Sequence, residues 1–334
     1  MIECIFSIDY EIYGNGEGSL KDLVYNPTKK LIKIFDEYAI KLVIFAEVAE
    51  LIAIENFQSD NYIENVKRQL YDLYSNGHEI ALHLHPQWFN AKFANGKWKL
   101  DNREYNLCVL PENRIKDIFI QSIDYLREIL NASDHIPTSF RAGNWLMQPT
   151  SSIAKIISDL GILIDSSVFK GGKISKYSLD YRKASQNCYF WKFSDDVTLS
   201  QHNGKLLEIP IYTRLVPIWN ILTSKRLKLQ SRSNSVVKRT FIDKIYRISD
   251  NIRFKVPLKF DFCRMTKVEL TDLIEQVLAD DKDNPATFKP IVAIGHTKDL
   301  TDFETISYFI NFLKLNKIKI STFKEIYAKC MLSL

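Results

Sequence analysis

The sequence predicts an α/β protein in which seven to eight mostly parallel strands, wrapped by helices, close into a barrel. Three observations predict it. Short apolar runs alternate with amphipathic runs of helical period almost from end to end. The chain has 334 residues, a length at which α/β barrels commonly stand as one domain. With 46% of its residues hydrophobic and 25% charged, it has enough apolar material for a large core and no sign of disorder.

The elements follow in order. "IECIFSID" is an apolar run that reads as a buried first strand, and "NPTKKLIKIFDEYAI" reads as a helix capped by Asn26, with Pro27 in its first turn. "KLVIFAE" is the second strand. A polar helix from about Asp60 to Ser75 follows, and Asn76-Gly77 leads into the strand "HEIALHLH". "PENRIKDIFIQSIDYLREIL" places Ile115, Ile118, Phe119, Ile123, Leu126 and Leu130 on one helical stripe. Strand "TSFRAG", helix "SSIAKIISDLG", strand "ILIDSS" and hairpins around "CYFWKF" and "KLLEIPIY" come next. After a basic stretch the alternation resumes with helix "KVELTDLIEQVLA", strand "PIVAIGH", helix "FETISYFINFLKLN" and strand "KIKIST". No repeat or low-complexity linker divides the chain, so residues 1–334 read as a single domain with an irregular basic insertion at about 214–265.

Several function classes are disfavoured by composition. No window approaches the roughly 18 consecutive apolar residues of a membrane-spanning helix. "MIECIFSIDYE" lacks the basic and then apolar pattern of a signal peptide. The five cysteines are odd in number and free of CxxC spacing, which suits a reducing cytoplasm. The net charge is +5, and between Lys225 and Lys267 thirteen Lys or Arg stand against three Asp. Beside the apolar residues of "LVPIWNILTSKRLKLQ", this segment suggests peripheral contact with the inner face of a membrane, a solvated insertion being the plainer reading. No nucleic-acid-binding motif is present.

Parallel α/β folds gather their chemistry at the carboxyl ends of strands. The polar residues at those ends are Asp9 with Glu11, His83 with His85, Arg141, Asp165 and His296. On an extended backbone, residues two apart share a face, so the two carboxylates of "SIDYE" converge, as do the two imidazoles of "LHLH". Two histidines and one carboxylate make the ligand set of catalytic zinc and other open divalent sites, and the second carboxylate is left to take a proton. His78 reads as a core histidine, and His135 and His202 read as exposed bystanders.

"FSIDYE", "GHEIALHLHPQW", "SFRAGNW", "GILIDSSV" and "VAIGHTKDL" together, in order over almost the whole chain, resemble the five motifs of the polysaccharide deacetylases, carbohydrate esterase family four, the NodB-homology domain. The resemblance implies a deformed (β/α) barrel of the NodB kind and a divalent metal, zinc first, held by Glu11, His83 and His85. It implies Asp9 as base, Arg141 as its partner, His296 as acid, and Asp165 as the carboxylate that tunes His296. Asn144 would offer its N–H to the oxyanion. Trp145 would wall the sugar site. Apart from the resemblance, the aromatic loops offer Trp88, Trp98 and Trp145 for stacking on pyranose faces, core packing being the commoner use of tryptophan.

Three departures are visible. The carboxylates stand as DxE where the family has adjacent aspartates; Gln87 occupies the usual second histidine position, with His85 two residues before it; and Gly143 replaces the usual proline. The implied reaction is removal of an N-acetyl group from a sugar in a polysaccharide or a lipid-linked glycolipid precursor. Two alternatives stand beside it. One is hydrolysis of another C–N amide bond, such as that of a cyclic ureide; the other, motivated by Gln87, is a catalytically degenerate carbohydrate-binding scaffold of surface-polysaccharide assembly.

Overall fold

The computed structural model describes residues 1–185, 188–229, 250 and 254–334. Strand Ile2–Tyr10 lies inside a nine-stranded sheet, paired in parallel with Lys289–His296 on one edge and with Val43–Glu47 on the other. Glu79–Leu84, Ser139–Ala142, Ile164–Asp165 and Leu206–Glu208 continue the parallel order outward, and Trp191–Phe193 ends it antiparallel. Lys319–Ile320 pairs with the start of Ile2–Tyr10. Every residue of Ile2–Tyr10, Val43–Glu47 and Glu79–Leu84 is buried. Strands covered on both faces need no polar alternation, which is why these segments are mostly apolar, with polar residues such as Asp9, Glu47 and His83 near their carboxyl ends.

The sheet curls, and its curl is completed by stitches rather than by a ladder. Ile211 forms single bridges to Phe169 and to Val292, and Asp261 bridges to Ile294. Tyr212 N–H reaches the Val292 carbonyl at 3.1 Å, and Phe262 N–H reaches that of Ile294 at 2.9 Å. The expected deformed (β/α) barrel is therefore what the chain forms, and its irregular seam lies between Ile164–Asp165 and Lys289–His296.

Most helices fall within a few residues of their sequence positions, with three differences. The first regular helix is Asn26–Glu37, so Asn26 is inside it and not its cap, while Pro27 does sit in the first turn. The helix Val48–Phe57 was not expected. It is buried on several sides, at Val48, Ala49, Glu50, Leu51, Ala53 and Ile54, so the segment carries no amphipathic period to read. The polar helix begins at Ile63, because the Asp60 carboxylate accepts the N–H groups of Leu20 and Tyr62, each at 2.8 Å, and holds the chain in a turn.

Thr213–Pro217 and Lys255–Lys259 pair as an antiparallel ribbon at the two ends of the expected insertion. Residues 230–249 and 251–253, which carry much of its basic charge, lie outside the described residues. Among the described residues no helix is long and apolar enough to cross a membrane.

Candidate metal and catalytic site

Asp9 and His296 are register partners at the ends of adjacent strands, as are Glu47 and His83, and His83 and Arg141. The parallel ladder thus brings these side chains to one end of the barrel. A cavity of about 440 Å³ opens there, lined by Asp9, Glu11, His83, His85, Asn144, Trp145 and His296 on the strand side. A larger cavity of about 610 Å³ lies elsewhere, around Tyr189, Tyr212 and Lys289, and has no histidine in its wall. The smaller one is where titratable groups converge, which is the stronger sign of chemistry.

Arg141 is fully buried and anchors the floor. Its Nη1 donates to Asp9 Oδ1 at 2.6 Å, Nη2 to Ser7 Oγ at 2.9 Å and Nε to the Ser166 carbonyl at 3.0 Å, while the guanidinium stacks 3.9 Å from the Phe45 ring centre. Asp9 Oδ1 is therefore occupied. Oδ2 faces His296 Nε2 at 3.4 Å and His83 Nε2 at 4.0 Å. Burial pushes the Asp9 carboxyl up, but Arg141, His83 and His296 together outweigh it and hold it below its ordinary value. Burial holds the His296 imidazole below its ordinary value despite the neighbouring Asp9 carboxylate.

The two expected histidine ligands meet Glu11 from the end of strand Glu79–Leu84, across the intervening strand Val43–Glu47. His83 Nε2 is 3.6 Å and His85 Nε2 3.2 Å from Glu11 Oε2, and the two rings stand edge to face, 4.9 Å apart. Lys298 takes the other oxygen of Glu11, Oε1, at 2.7 Å. Burial raises the Glu11 carboxyl, yet Lys298, His83 and His85 hold it well below the usual range. His83 Nδ1 lies 2.8 Å from the Arg141 carbonyl. A carbonyl only accepts, so Nδ1 carries the hydrogen and Nε2 is turned toward the carboxylates. Burial opposes charge on His83, but Asp9, Glu11 and Glu47 raise it to about 9, so a proton sits where a cation would be bound.

The donor set fits a divalent metal. Single ligand atoms of Glu11, Glu47, His83 and His85 all lie within 4.8 Å of one another; those of a second group, Asp9, Glu11 and His296, do so too, with Asp9 Oδ1 held by Arg141 and Oδ2 turned to His296. Behind His85, the side-chain amides of Asn144 and Gln87 approach Nδ1 at 3.2 and 3.3 Å. Gln87 Oε1 is buried without a hydrogen-bond partner. With both amides donating to Nδ1, the His85 hydrogen is on Nε2, toward Glu11; the metal-binding tautomer, with the Nε2 lone pair toward Glu11, requires both amides turned so that their oxygens accept from Nδ1–H. His85 lies just past the last strand residue, close against Gly143, where a Cβ would stand 2.8 Å from the His85 ring and 2.5 Å from the Leu84 carbonyl. Glycine at 143, in place of a proline, is what lets that ring into the site.

The other expected residues divide. Asn144 and Trp145 line the cavity on consecutive left-handed backbones, with φ of 54° and 64°. Such conformations are uncommon for these residues and concentrate at functional sites. Trp88, expected against the sugar, is only 1% exposed and packs edge-on against Trp98 at 5.0 Å, so its ring belongs to the core and is not available for stacking on a ligand. Asp165 is buried beside Glu208 and accepts from Ser167 Oγ at 2.7 Å; the carboxylate that faces His296 Nδ1 is Asp299, at 3.8 Å. Asp299 is in turn held by Arg264 at 2.6 Å. Of the remaining histidines, His78 is buried as expected, whereas His135 is half-buried against Tyr74 and not an exposed bystander.

Four residues of this region were not singled out from sequence: Glu47, Lys298, Asp299 and Lys259. Lys298 and Asp299 follow His296 directly in "GHTKDL", so their closeness to the strand end was available as a signal. Glu47 closes the apolar strand "VIFAE", a polar residue at a carboxyl end like the others. Lys259 comes from the ribbon, and only the fold brings it 4.3 Å from the Trp145 ring centre, where burial pushes its ammonium down to about 8.

No known family profile matches the chain, and no curated protein does. Solved structures do. A protein described as a polysaccharide deacetylase from Mycobacterium smegmatis matches with a TM-score of 0.52 at 14% identity, over 97% of this chain and 88% of that one. PuuE allantoinase matches with 0.52 at 12% identity, over 97% and 88%. A 4-alpha-glucanotransferase from Thermococcus litoralis reaches 0.56 at 14% identity, covering 98% of this chain but 40% of its own. One architecture under three activities carries no function by itself. What these likenesses establish is the fold: this chain is built on the deformed (β/α) barrel that the polysaccharide deacetylases share.

Proposed function

We propose that this protein is a divergent polysaccharide deacetylase, a metal-dependent hydrolase that removes N-acetyl groups from a sugar in a polysaccharide or glycolipid precursor. The observation that carries the reading is that Asp9, Glu11, His83, His85 and His296, from three strands of one parallel sheet and the turns that end them, meet in one cavity, with Arg141 of a fourth strand buried beneath and bonded to Asp9. Glu11, His83 and His85 would hold the metal, with zinc the first choice for two imidazoles and a carboxylate. Such an ion polarises a carbonyl and lowers the pKa of water to about 7.

The protein's own groups supply the proton traffic. Arg141 fixes Asp9 through Oδ1, so Oδ2 is the basic oxygen presented to the cavity. Asp9 takes a proton from the attacking water, and His296, 3.4 Å away, delivers one to the departing amine. Asn144 lends its backbone N–H to the oxyanion and Trp145 walls the sugar, while Asp299 sets a negative charge 3.8 Å behind His296 Nδ1, which makes no hydrogen bond. Asp165 acts at greater remove, through the buried network around Ser167 and Arg141. Acetate and a free amine are the products.

The test is acetate release from N-acetylated sugar oligomers, abolished by chelation and restored by zinc. Release unaffected by a chelator sinks the metal reading, and ring opening of a cyclic ureide in its place moves the activity to another amide. Binding of the glycan with no product from any bound substrate would instead make the protein a carbohydrate-binding scaffold.

We further read the chain as one domain, residues 1–334, whose insertion at about 214–265 meets lipid at the inner face of a membrane. Trp219 and Leu222 support this, being 64% and 59% exposed on the stretch that leads into the basic segment. Sedimentation with liposomes should depend on anionic lipid, and no difference between neutral and anionic vesicles refutes it.

A further inference from the structure

We propose that Glu47 is a fourth protein ligand of the metal centre, so that this chain binds its ion through Glu11, Glu47, His83 and His85. The inference rests on the metal-dependent reading above and extends it to a residue that the resemblance does not assign.

Three observations carry it. Glu47 is the register partner of His83, and one of its carboxylate oxygens belongs to the set of four ligand atoms lying within 4.8 Å of one another. Its Oε1 accepts the Glu50 N–H at 3.3 Å, but Oε2 is buried with no hydrogen-bond partner. A buried, unpaired carboxylate oxygen is costly unless something cationic meets it, and Glu47 belongs to a cluster that is already a ligand set. Finally, Asp9, Glu11 and Glu47 bring three carboxyl groups, against the two permanent cations, Arg141 and Lys298, that contact them among the described residues. With His83 and His85 neutral, as ligands must be, the group is one positive charge short.

The position of Glu47 also says how the ion is approached. Glu11, His83 and His85 line the cavity, whereas Glu47 is 0% exposed and does not. Glu47 therefore closes the site from inside the barrel and leaves the cavity side to substrate and water. A two-imidazole, two-carboxylate set is harder than the usual three-ligand set, so Mn²⁺ and Fe²⁺ should compete better with Zn²⁺ here.

The experiment compares the full chain with Glu47→Gln, which keeps the shape and an acceptor for the Glu50 N–H but loses the charge. Affinity for Zn²⁺ and Co²⁺ is read by competition with a chromophoric chelator, and crystals of the wild type grown with Co²⁺ are measured at the cobalt edge. The expected results are an affinity at least about 10-fold weaker in the variant and a Glu47 oxygen at about 2.0–2.2 Å from the ion. Equal affinities, or an ion held by Glu11, His83 and His85 with Glu47 more than about 3 Å away, overturn the inference and leave the proposed function standing. A wild type that binds none of Zn²⁺, Co²⁺, Mn²⁺ or Fe²⁺ overturns both. If the variant does not fold, the wild-type crystal decides alone.

Discussion

Replacing Arg141 with Met removes the only permanent cation in contact with Asp9 among the described residues, in a place where Arg141 is fully buried and Asp9 is 1% exposed. Breaking a buried pair from one side leaves an uncompensated charge and costs about 3–5 kcal/mol. The Ser166 carbonyl loses its donor as well, adding about 1 kcal/mol. The sum is a large part of a typical domain's stability. The penalty also has a pH signature.

In the wild type the folded Asp9 lies below its unfolded value of 3.8, so its contribution is present above that value and lost as pH falls through the folded one. Without Arg141, burial is opposed only by the histidines and the folded value moves up. Stability is then present at low pH and lost as pH rises. The gap between Arg141→Met and wild type should therefore be widest near pH 7 and narrow toward pH 4. Urea denaturation across that range measures it, with Asp9→Asn and the double variant closing a cycle. The double variant should recover most of the loss. A cost below about 1 kcal/mol at pH 7, or one that stays the same at pH 4 and in the Asp9→Asn background, refutes the reasoning.

Three other outcomes are expected. Purified wild type should carry about one divalent ion per chain by elemental analysis, and His83→Ala should carry almost none. Gly143→Ala should lose about 1–3 kcal/mol in denaturation and bind metal more weakly, because the new methyl group meets the His85 ring and the Leu84 carbonyl; unchanged metal affinity would count against the close approach. His78 accepts the Leu42 N–H through Nδ1, and burial lowers it from 6.5 to about 4. The unfolded chain thus protonates first, and this contribution, present above pH 6.5, is lost as pH falls toward 4 by up to about 3 kcal/mol. His78→Gln should flatten stability across that window.

The chemistry was most legible where the backbone itself forces it. Residues two apart on a strand must share a face, so the pairs Asp9 with Glu11 and His83 with His85 predicted their own convergence, and the apolar runs before them marked buried parallel strands. Periodicity failed at Val48–Phe57, because a helix buried on several sides has no polar face to reveal it. It also hid Glu47, which reads as the last residue of an apolar run. Trp88 went the other way. An aromatic side chain serves equally in a core or a sugar site, and only the packing against Trp98 decides. Which carboxylate faces His296 was likewise a matter of three-dimensional placement, although the spacing of Asp299, three residues along on a single tight turn, was there to be noticed.

The ribbon that departs from the barrel at Thr213–Pro217 and returns at Lys255–Lys259 divides the molecule's labour. Its returning strand contributes Pro257, Leu258 and Lys259 to the cavity, opposite a rim whose reactive groups all ride on, or just beyond, the continuous ladder. Sequence change in the ribbon can recontour what enters without disturbing the strand register that aims Asp9 and His83. Selectivity and reactivity are thereby free to evolve on separate clocks.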